Sequence, residues 1–205
     1  MSKFYILIPP SEGKSAGGSG APLKSVGKNV AALAKQLAKP GTDWDKILGV
    51  KNRALEKAIG ANRDLLKSPT MRAMERYTGV VYQAIDYPTL DKKAQTFFNA
   101  HVRIVSALFG LVEPRQLIPD YKLKIDKLGA ANHWRPILKD ALKNAFIIDL
   151  LPQAHQKAVD YTDGMVINFL RMKNGKRISA GHHGKQIKGR FIRWLCDHQT
   201  RDVKQ

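Results

Sequence analysis

The chain opens with Phe4-Tyr5-Ile6-Leu7-Ile8, an unbroken aromatic and β-branched run stopped by Pro9-Pro10, the pattern of a buried strand emptying into a loop. Gly17, Gly18 and Gly20 keep the following stretch flexible until Pro22, and alanine and leucine spacing then predicts a helix over 30–38. Pro40-Gly41-Thr42-Asp43 supplies a break and an N-cap for a short helix ending at Leu48, and Ala54, Leu55, Ala58 and Ile59 predict a second helix over 51–59. Ser68-Pro69 caps a predicted helix over 70–76. Further helices are expected over 90–99, 134–143 and 186–198, with strands over 102–108 and 145–151. A hairpin around Asn174-Gly175 should join 165–172 to 177–180. Strands alternating with helices predict an α/β fold, a mixed sheet flanked by helices with α+β character. No internal repeat or long linker divides residues 1–205, so a single domain is expected.

Composition changes this picture in one respect. Hydrophobic residues are 43% and charged residues 25%, the proportions of a soluble globular chain that can bury a core unaided. The charge, however, is lopsided: 35 lysines and arginines against 17 acidic residues leave +18. The cations recur from Lys14 to Lys204 rather than forming a tail, so the folded surface is expected to attract a polyanion, with nucleic acid foremost. A basic surface serving solubility alone is the blander alternative. Cys196 is the only cysteine, which excludes an internal disulfide, a CxxC pair and a cysteine zinc cluster. The run at residues 4–8 is too short for a signal sequence or a membrane span, so a cytoplasmic protein without a membrane partner is expected.

Four segments could carry chemistry. Residues 43–60 have the outline of a helix-hairpin-helix: Gly49 beside Val50 permits a tight turn, and the amides opening the second helix, with Lys51, Asn52, Arg53 and Lys57, can bind phosphate oxygens. The second glycine usual in that motif is missing, and an ordinary helix C-cap at Gly49 is equally compatible. Ser11-Glu12-Gly13-Lys14 lies past a strand's C-terminal end, where open α/β sheets place ligand crevices, and lacks the spacing of a Walker loop. His182-His183-Gly184-Lys185 with Lys188 and Arg190 concentrates cationic donors at the start of the last helix, where no acidic or cysteine partner supports a metal. Asp149 interrupts an apolar strand and would need a partner if buried, whereas Cys196 reads as core.

Taken in order, Ile8-Pro9-Pro10-Ser11-Glu12-Gly13-Lys14, Arg76-Tyr77-Thr78-Gly79-Val80-Val81-Tyr82, Ser106-Ala107-Leu108-Phe109-Gly110-Leu111-Val112-Glu113-Pro114 and Ile118-Pro119-Asp120-Tyr121-Lys122-Leu123 resemble the successive blocks of the YaaA family. Trp134-Arg135-Pro136, Ile148-Asp149-Leu150 and Lys188-Gly189-Arg190 extend the likeness from Ile8 to Arg193. The resemblance implies a cytosolic protein of hydrogen peroxide resistance, a fold peculiar to the family with a basic cleft, and DNA binding through a helix-hairpin-helix. It implies no firm reaction. Its recurrent polar positions fall on Lys14, Tyr82, Tyr121, Lys122, Trp134, Arg135, Lys185, Lys188 and Arg190; with Ser11 these are the expected anion-binding cleft. Glu113 departs from the family's usual arginine, and Leu150-Leu151-Pro152 from its polar stretch.

Two functions follow as expectations: DNA binding largely without sequence specificity, or an enzyme for a small anionic or nucleotide substrate. For the second, Lys14, Tyr121, Asp149 and His182 are the catalytic candidates. A monomer with no cofactor and no metal is expected; binding of iron by the six histidines is a distant third reading.

Overall fold

The computed structural model describes residues 3–39 and 43–202; the expected break at Pro40-Gly41-Thr42 lies outside them. In chain order the elements are β1 (Lys3–Ile8), α1 (Lys28–Leu37), α2 (Trp44–Leu48), α3 (Asn52–Arg63), β2 (Met71–Arg72), α4 (Ala73–Arg76), α5 (Val80–Ile85), α6 (Lys92–His101), β3 (Val102–Ser106), β4 (Gly110–Val112), β5 (Leu117–Ile118), α7 (Ala130–Leu142), β6 (Ala145–Asp149), α8 (Gln153–Gln156), β7 (Asp163–Val166), β8 (Leu170–Lys173), β9 (Lys176–Ser179) and α9 (Gly181–Asp197).

The main sheet has the order β4-β3-β1-β6-β7. Strand β1 is parallel to β3, with Ile6 opposite Val102, and to β6, with Ile6 opposite Ile148; β7 continues the parallel set and β4 folds back antiparallel. Ile6, Leu7, Ile8, Ile104, Val105, Ile147 and Ile148 are all fully buried, which is why β1 and β6 read as near-continuous apolar runs and β3 as one broken by Arg103. The chain adds β3 on one side of β1 and then crosses to add β6 and β7 on the other. Strand order therefore reverses beside β1, and in open α/β sheets the crevice outside the strand ends at such a reversal takes the ligand.

The expected elements over 30–38, 90–99 and 145–151 are present within two residues at most boundaries, the last strand ending at Asp149. Other segments differ for local reasons. The strand expected to reach Leu108 stops at Ser106, whose Oγ accepts the amides of Leu108 (3.2 Å) and Phe109 (3.0 Å) and turns the chain into β4. The turn ends on Gly110 at φ +68°, where a Cβ would lie 2.5 Å from the Trp134 ring, so a side chain is barred on both counts. Residues 70–76 are not one helix: Met71–Arg72 pair with β5, and only Ala73–Arg76 are helical. Residues 165–172 are split between β7 in the main sheet and β8, which pairs with β9 around Asn174-Gly175. Helix α9 begins at Gly181, more than a turn before Gln186, so His182 and His183 lie inside it. It packs on α5 through Gly189, whose missing side chain lets the Val81 carbonyl and Ala84 approach.

Candidate functional site

Two loops leave the C-terminal ends of β1 and β6 at the reversal point, and they form opposite lips of a cleft. The β1 loop is held in place by backbone bonds to the segment after α4: Ser15 N–H donates to the Arg76 carbonyl (2.8 Å), and Thr78 N–H to the Gly13 carbonyl (3.1 Å). Gly79 is required here, because a Cβ would strike the Ser11 hydroxyl. The same pairing sets Lys14 opposite Tyr77 and sends its side chain over aromatic rings, with Nζ 4.5 Å from the Tyr121 centroid and 5.7 Å from that of Tyr77.

Beneath the loop is a buried layer of hydroxyls. Tyr77 Oη and Tyr121 Oη are 2.8 Å apart, Tyr121 Oη is 2.8 Å from Ser106 Oγ, and Tyr82 Oη donates to the Pro9 carbonyl at 2.8 Å. Burial pushes all three tyrosines above the ordinary phenol value, so they stay protonated. Arg76, fully buried beside them, donates to the carbonyls of Ser15 (2.6 Å), Pro69 (3.2 Å) and Ile118 (3.4 Å).

Three cavities sharing walls make up the cleft. The largest, about 520 Å³, lies between the β1 loop, the start of α5, the β6 loop and the start of α9, and is lined by Ser11, Tyr82, His155, Lys185 and Lys188 among others. Across Ser11 and Glu12 is a second of about 310 Å³, with Lys14, Tyr121, Lys122, Lys124 and His155 in its walls. A third, about 190 Å³, continues past Lys14, Asp120 and Lys122 to Val50, Ala54 and Lys57 of the α2–α3 region. The Asn62 side chain fixes that region to the cleft: its amide donates to the Lys122 carbonyl (2.9 Å) and its oxygen accepts Lys122 N–H (2.8 Å).

The charges in the cleft are unequal. Glu12 on the rim pairs with Lys122 (3.0 Å) and Lys124 (3.6 Å); partial burial works against its carboxylate, but the two lysines outweigh that and hold its pKa below the usual value. Burial lowers the Lys14 ammonium to about 8, against the pull of Asp120. Lys188 donates to the Leu150 carbonyl and is likewise lowered by burial, with Asp149 opposing. Asp149 is 1% exposed and satisfied by Leu151 N–H (2.7 Å) and the Tyr161 hydroxyl (3.0 Å); burial still raises its pKa. Burial also lowers His155 to about 4, leaving a neutral ring whose buried Nδ1 has no hydrogen-bond partner among the described residues.

The fold thus brings together Ser11, Lys14, Tyr82, Tyr121, Lys122, Lys185 and Lys188 from the residues expected in sequence. It sets others apart. Trp134 is a core side chain, 4% exposed, whose Nε1 donates to the Ala107 carbonyl (2.8 Å). Arg135 pairs with Asp160 (3.3 Å); Arg190 and His182 are exposed on α9 and line none of the three cavities. Asp149 lies under the cleft rather than in it. Cys196 is fully buried, its thiol pushed up to about 12 by burial. Sequence reasoning passed over His155, Asp120 and Lys124 as site residues; the β6 strand end followed by Pro152 was the signal available for His155. Among the described residues no three His, Cys, Asp or Glu side chains are grouped to hold a metal ion.

Between α2 and α3 the chain turns at Gly49, exposed and left-handed at φ +66°, where a Cβ would meet Lys124 Nζ at 2.8 Å. Asn52 is left-handed as well, at φ +52°. Asparagine tolerates that conformation, so the turn is made with one glycine instead of two. Lys51, Arg53 and Lys57 are exposed, and Lys57 also lines the smallest of the three cavities. No described helix is long and apolar enough to cross a membrane.

Over residues 4–205 the sequence matches the family described as peroxide stress protein YaaA. It is 32% identical to a UPF0246 protein of Corynebacterium glutamicum strain R, over 94% of this chain and 85% of that protein. A UPF0246 protein of Streptomyces coelicolor is 31% identical over 94% and 82% of the two chains. An uncharacterized protein of Campylobacter jejuni is 31% identical over 78% and 66%.

Proposed function

The chain belongs to the YaaA family of peroxide stress proteins, and on that premise we propose that it binds DNA, largely without regard to sequence, through a basic face centred on the α2–α3 turn. The observation that carries the reading is adjacency: the Gly49–Asn52 turn, with Lys51, Arg53 and Lys57 exposed, adjoins the cavity whose other wall holds Lys14 and Lys122. Used as a helix-hairpin-helix, the turn would offer its amides to one phosphate while the lysines neutralise the next, an arrangement that positions a duplex and reads no bases.

The β8–β9 hairpin supports the same reading. Arg171, Lys173, Lys176 and Arg177 are all exposed, and Lys173 faces Lys176 directly across the ladder. Like charges in that position destabilise a hairpin unless a polyanion lies against them, and a two-stranded ribbon fits the major groove. Cytoplasmic residence and a monomeric state complete the proposal.

Fluorescence anisotropy of a labelled duplex between about 50 and 200 mM salt tests it. Log affinity should fall steeply with log salt, and the triple change Lys51→Gln, Arg53→Gln, Lys57→Gln should reduce the slope by about 3, near 0.9 for each phosphate no longer neutralised. A flat response, or no binding at the lowest salt, removes the reading. A second reading, an enzyme for a small anionic substrate, is favoured by the cavity of about 520 Å³ with Lys185 and Lys188 in its wall, a volume that suits a small molecule and excludes a duplex.

A further inference from the structure

We propose that Lys14 is the nucleophile of an abasic-site lyase: its amine, at the pocket between α3 and the β1 loop, captures the C1′ aldehyde of a base-less deoxyribose in DNA. The inference rests on the DNA-binding reading and deepens it.

Four observations converge on this residue. First, Lys14 is a half-buried cation of the cleft whose ammonium has neither a salt bridge nor a hydrogen bond among the described residues, whereas Lys188 donates to the Leu150 carbonyl: Glu12 is taken by Lys122 and Lys124, and Lys14 Nζ lies against the faces of Tyr121 and Tyr77. A lysine so placed is poorly suited to hold an anion and well suited to attack a carbonyl, because desolvation frees its lone pair. With its pKa lowered to about 8, roughly one amine in ten is free at pH 7, far more than for a solvated lysine. Second, the pocket is small. At about 190 Å³ it falls below the roughly 300 Å³ where drug-sized sites begin, and Val50, Ala54, Ala58 and Ala61 give it an apolar wall. A sugar fits against it.

Third, Lys57 and Lys122 flank the pocket, placed for the phosphates on either side of a nucleotide turned out of the helix. Turning out costs least where no base has to leave the stack, so the damaged nucleotide is the one that enters. Fourth, Asp120 lines the same pocket, so a carboxylate and the amine share one cavity.

The chemistry needs only water as co-reactant. The Lys14 lone pair adds to C1′, the carbinolamine loses water, and an iminium forms. Asp120 takes the proton from C2′; that electron pair becomes the C2′=C3′ double bond as the C3′–O3′ bond breaks. The 3′ fragment leaves as a 5′-phosphate end, and water then releases Lys14 from the unsaturated aldehyde left on the other fragment. No atom changes hands with an oxidant or reductant.

The test uses the full chain and a labelled duplex with one abasic site, treated with borohydride to fix any iminium, and the same duplex carrying a tetrahydrofuran analogue, which has no aldehyde. The expected result is a covalent adduct with the aldehyde duplex alone, mapped to Lys14 by peptide mass spectrometry, and strand scission without borohydride. Lys14→Arg, which keeps the charge, and Lys14→Met should each abolish the adduct even at protein concentrations that saturate that variant's complex with the tetrahydrofuran duplex. Asp120→Asn should keep the adduct and slow scission by about 100-fold, with a changed pH profile. If the duplexes are bound and no adduct forms, or if the adduct maps elsewhere in the wild-type chain, the lyase is wrong and DNA binding stands. If neither duplex is bound at low salt, both fall.

Discussion

Arg76 and the Lys51, Arg53, Lys57 group are the same kind of charge put to opposite uses. Arg76 is fully buried, its guanidinium spread over the carbonyls of Ser15, Pro69 and Ile118, so that one side chain joins the β1 loop, the approach to β2 and the end of β5. The α3 cations are exposed and touch little. Water screens them and nothing in the fold needs them; they are available to a polyanion. Between these extremes lie Lys14 and Lys188, desolvated enough to lower their pKa and open enough to reach a ligand. A net charge of +18 therefore conflates three roles that only burial separates.

The largest effect should come from the most buried member. Arg76→Ala leaves three carbonyls short of a donor and opens the tie between loop and sheet, which should cost about 4 kcal/mol in urea unfolding. A loss below about 0.5 kcal/mol, the scale of a surface change, would erase the distinction drawn between the two regions.

His155 comes next, and its effect depends on pH. Its ring titrates near 4 in the folded chain against 6.5 unfolded, with burial as the cause, Asp126 opposing and Lys188 adding to it. The unfolded chain then binds the proton first, so stability falls as pH drops from 6.5 and levels off below 4, by up to about 3 kcal/mol. His155→Gln should flatten that limb: the difference between variant and wild type holds constant above pH 6.5 and shifts in the variant's favour toward pH 4. Parallel curves across that range would mean that the ring, which lines both larger cavities, is solvated.

The sheet was readable because its central strands are buried on both faces and so appear as apolar runs at residues 4–8 and 145–148 and, broken only by Arg103, at 102–105. Short pieces such as β2, β4 and β5 were not, since two or three residues carry no period, and β2 and β5 are held only by each other from distant parts of the chain. For the cleft, the rule that ligands collect beyond strand ends pointed to the Ser11–Lys14 loop, the cations opening the last helix pointed to Lys185 and Lys188, and the family resemblance pointed to Lys122. Trp134 was expected there and is a wall of the core, because a large aromatic in a motif reads the same whether it lines a cleft or packs under Gly110. For His155 the strand end before Pro152 gave a position but not an environment: burial is made by folding, and a residue name does not carry its desolvation.

The smallest effect has the most telling sign. Lys14 titrates near 8 when folded and near 10.5 when unfolded, so below pH 8 both forms are charged and the folded chain bears the cost of burying the ammonium. As pH rises from 8 to 10.5 the folded amine gives up its proton while the unfolded one keeps it, and stability rises. Lys14→Met removes the buried charge and also its attraction to the Tyr121 ring. The balance at pH 7 should be a gain of about 2 kcal/mol, shrinking as the pH passes 8. Thermal unfolding of variant and wild type at pH 7 and pH 9.5 measures both halves. A stabilised variant that no longer forms an adduct with abasic DNA would mean that the fold tolerates Lys14 at a loss, as expected of a reactive group and not of a structural one. A destabilised variant would place Lys14 with Arg76 instead, as a strut of the loop.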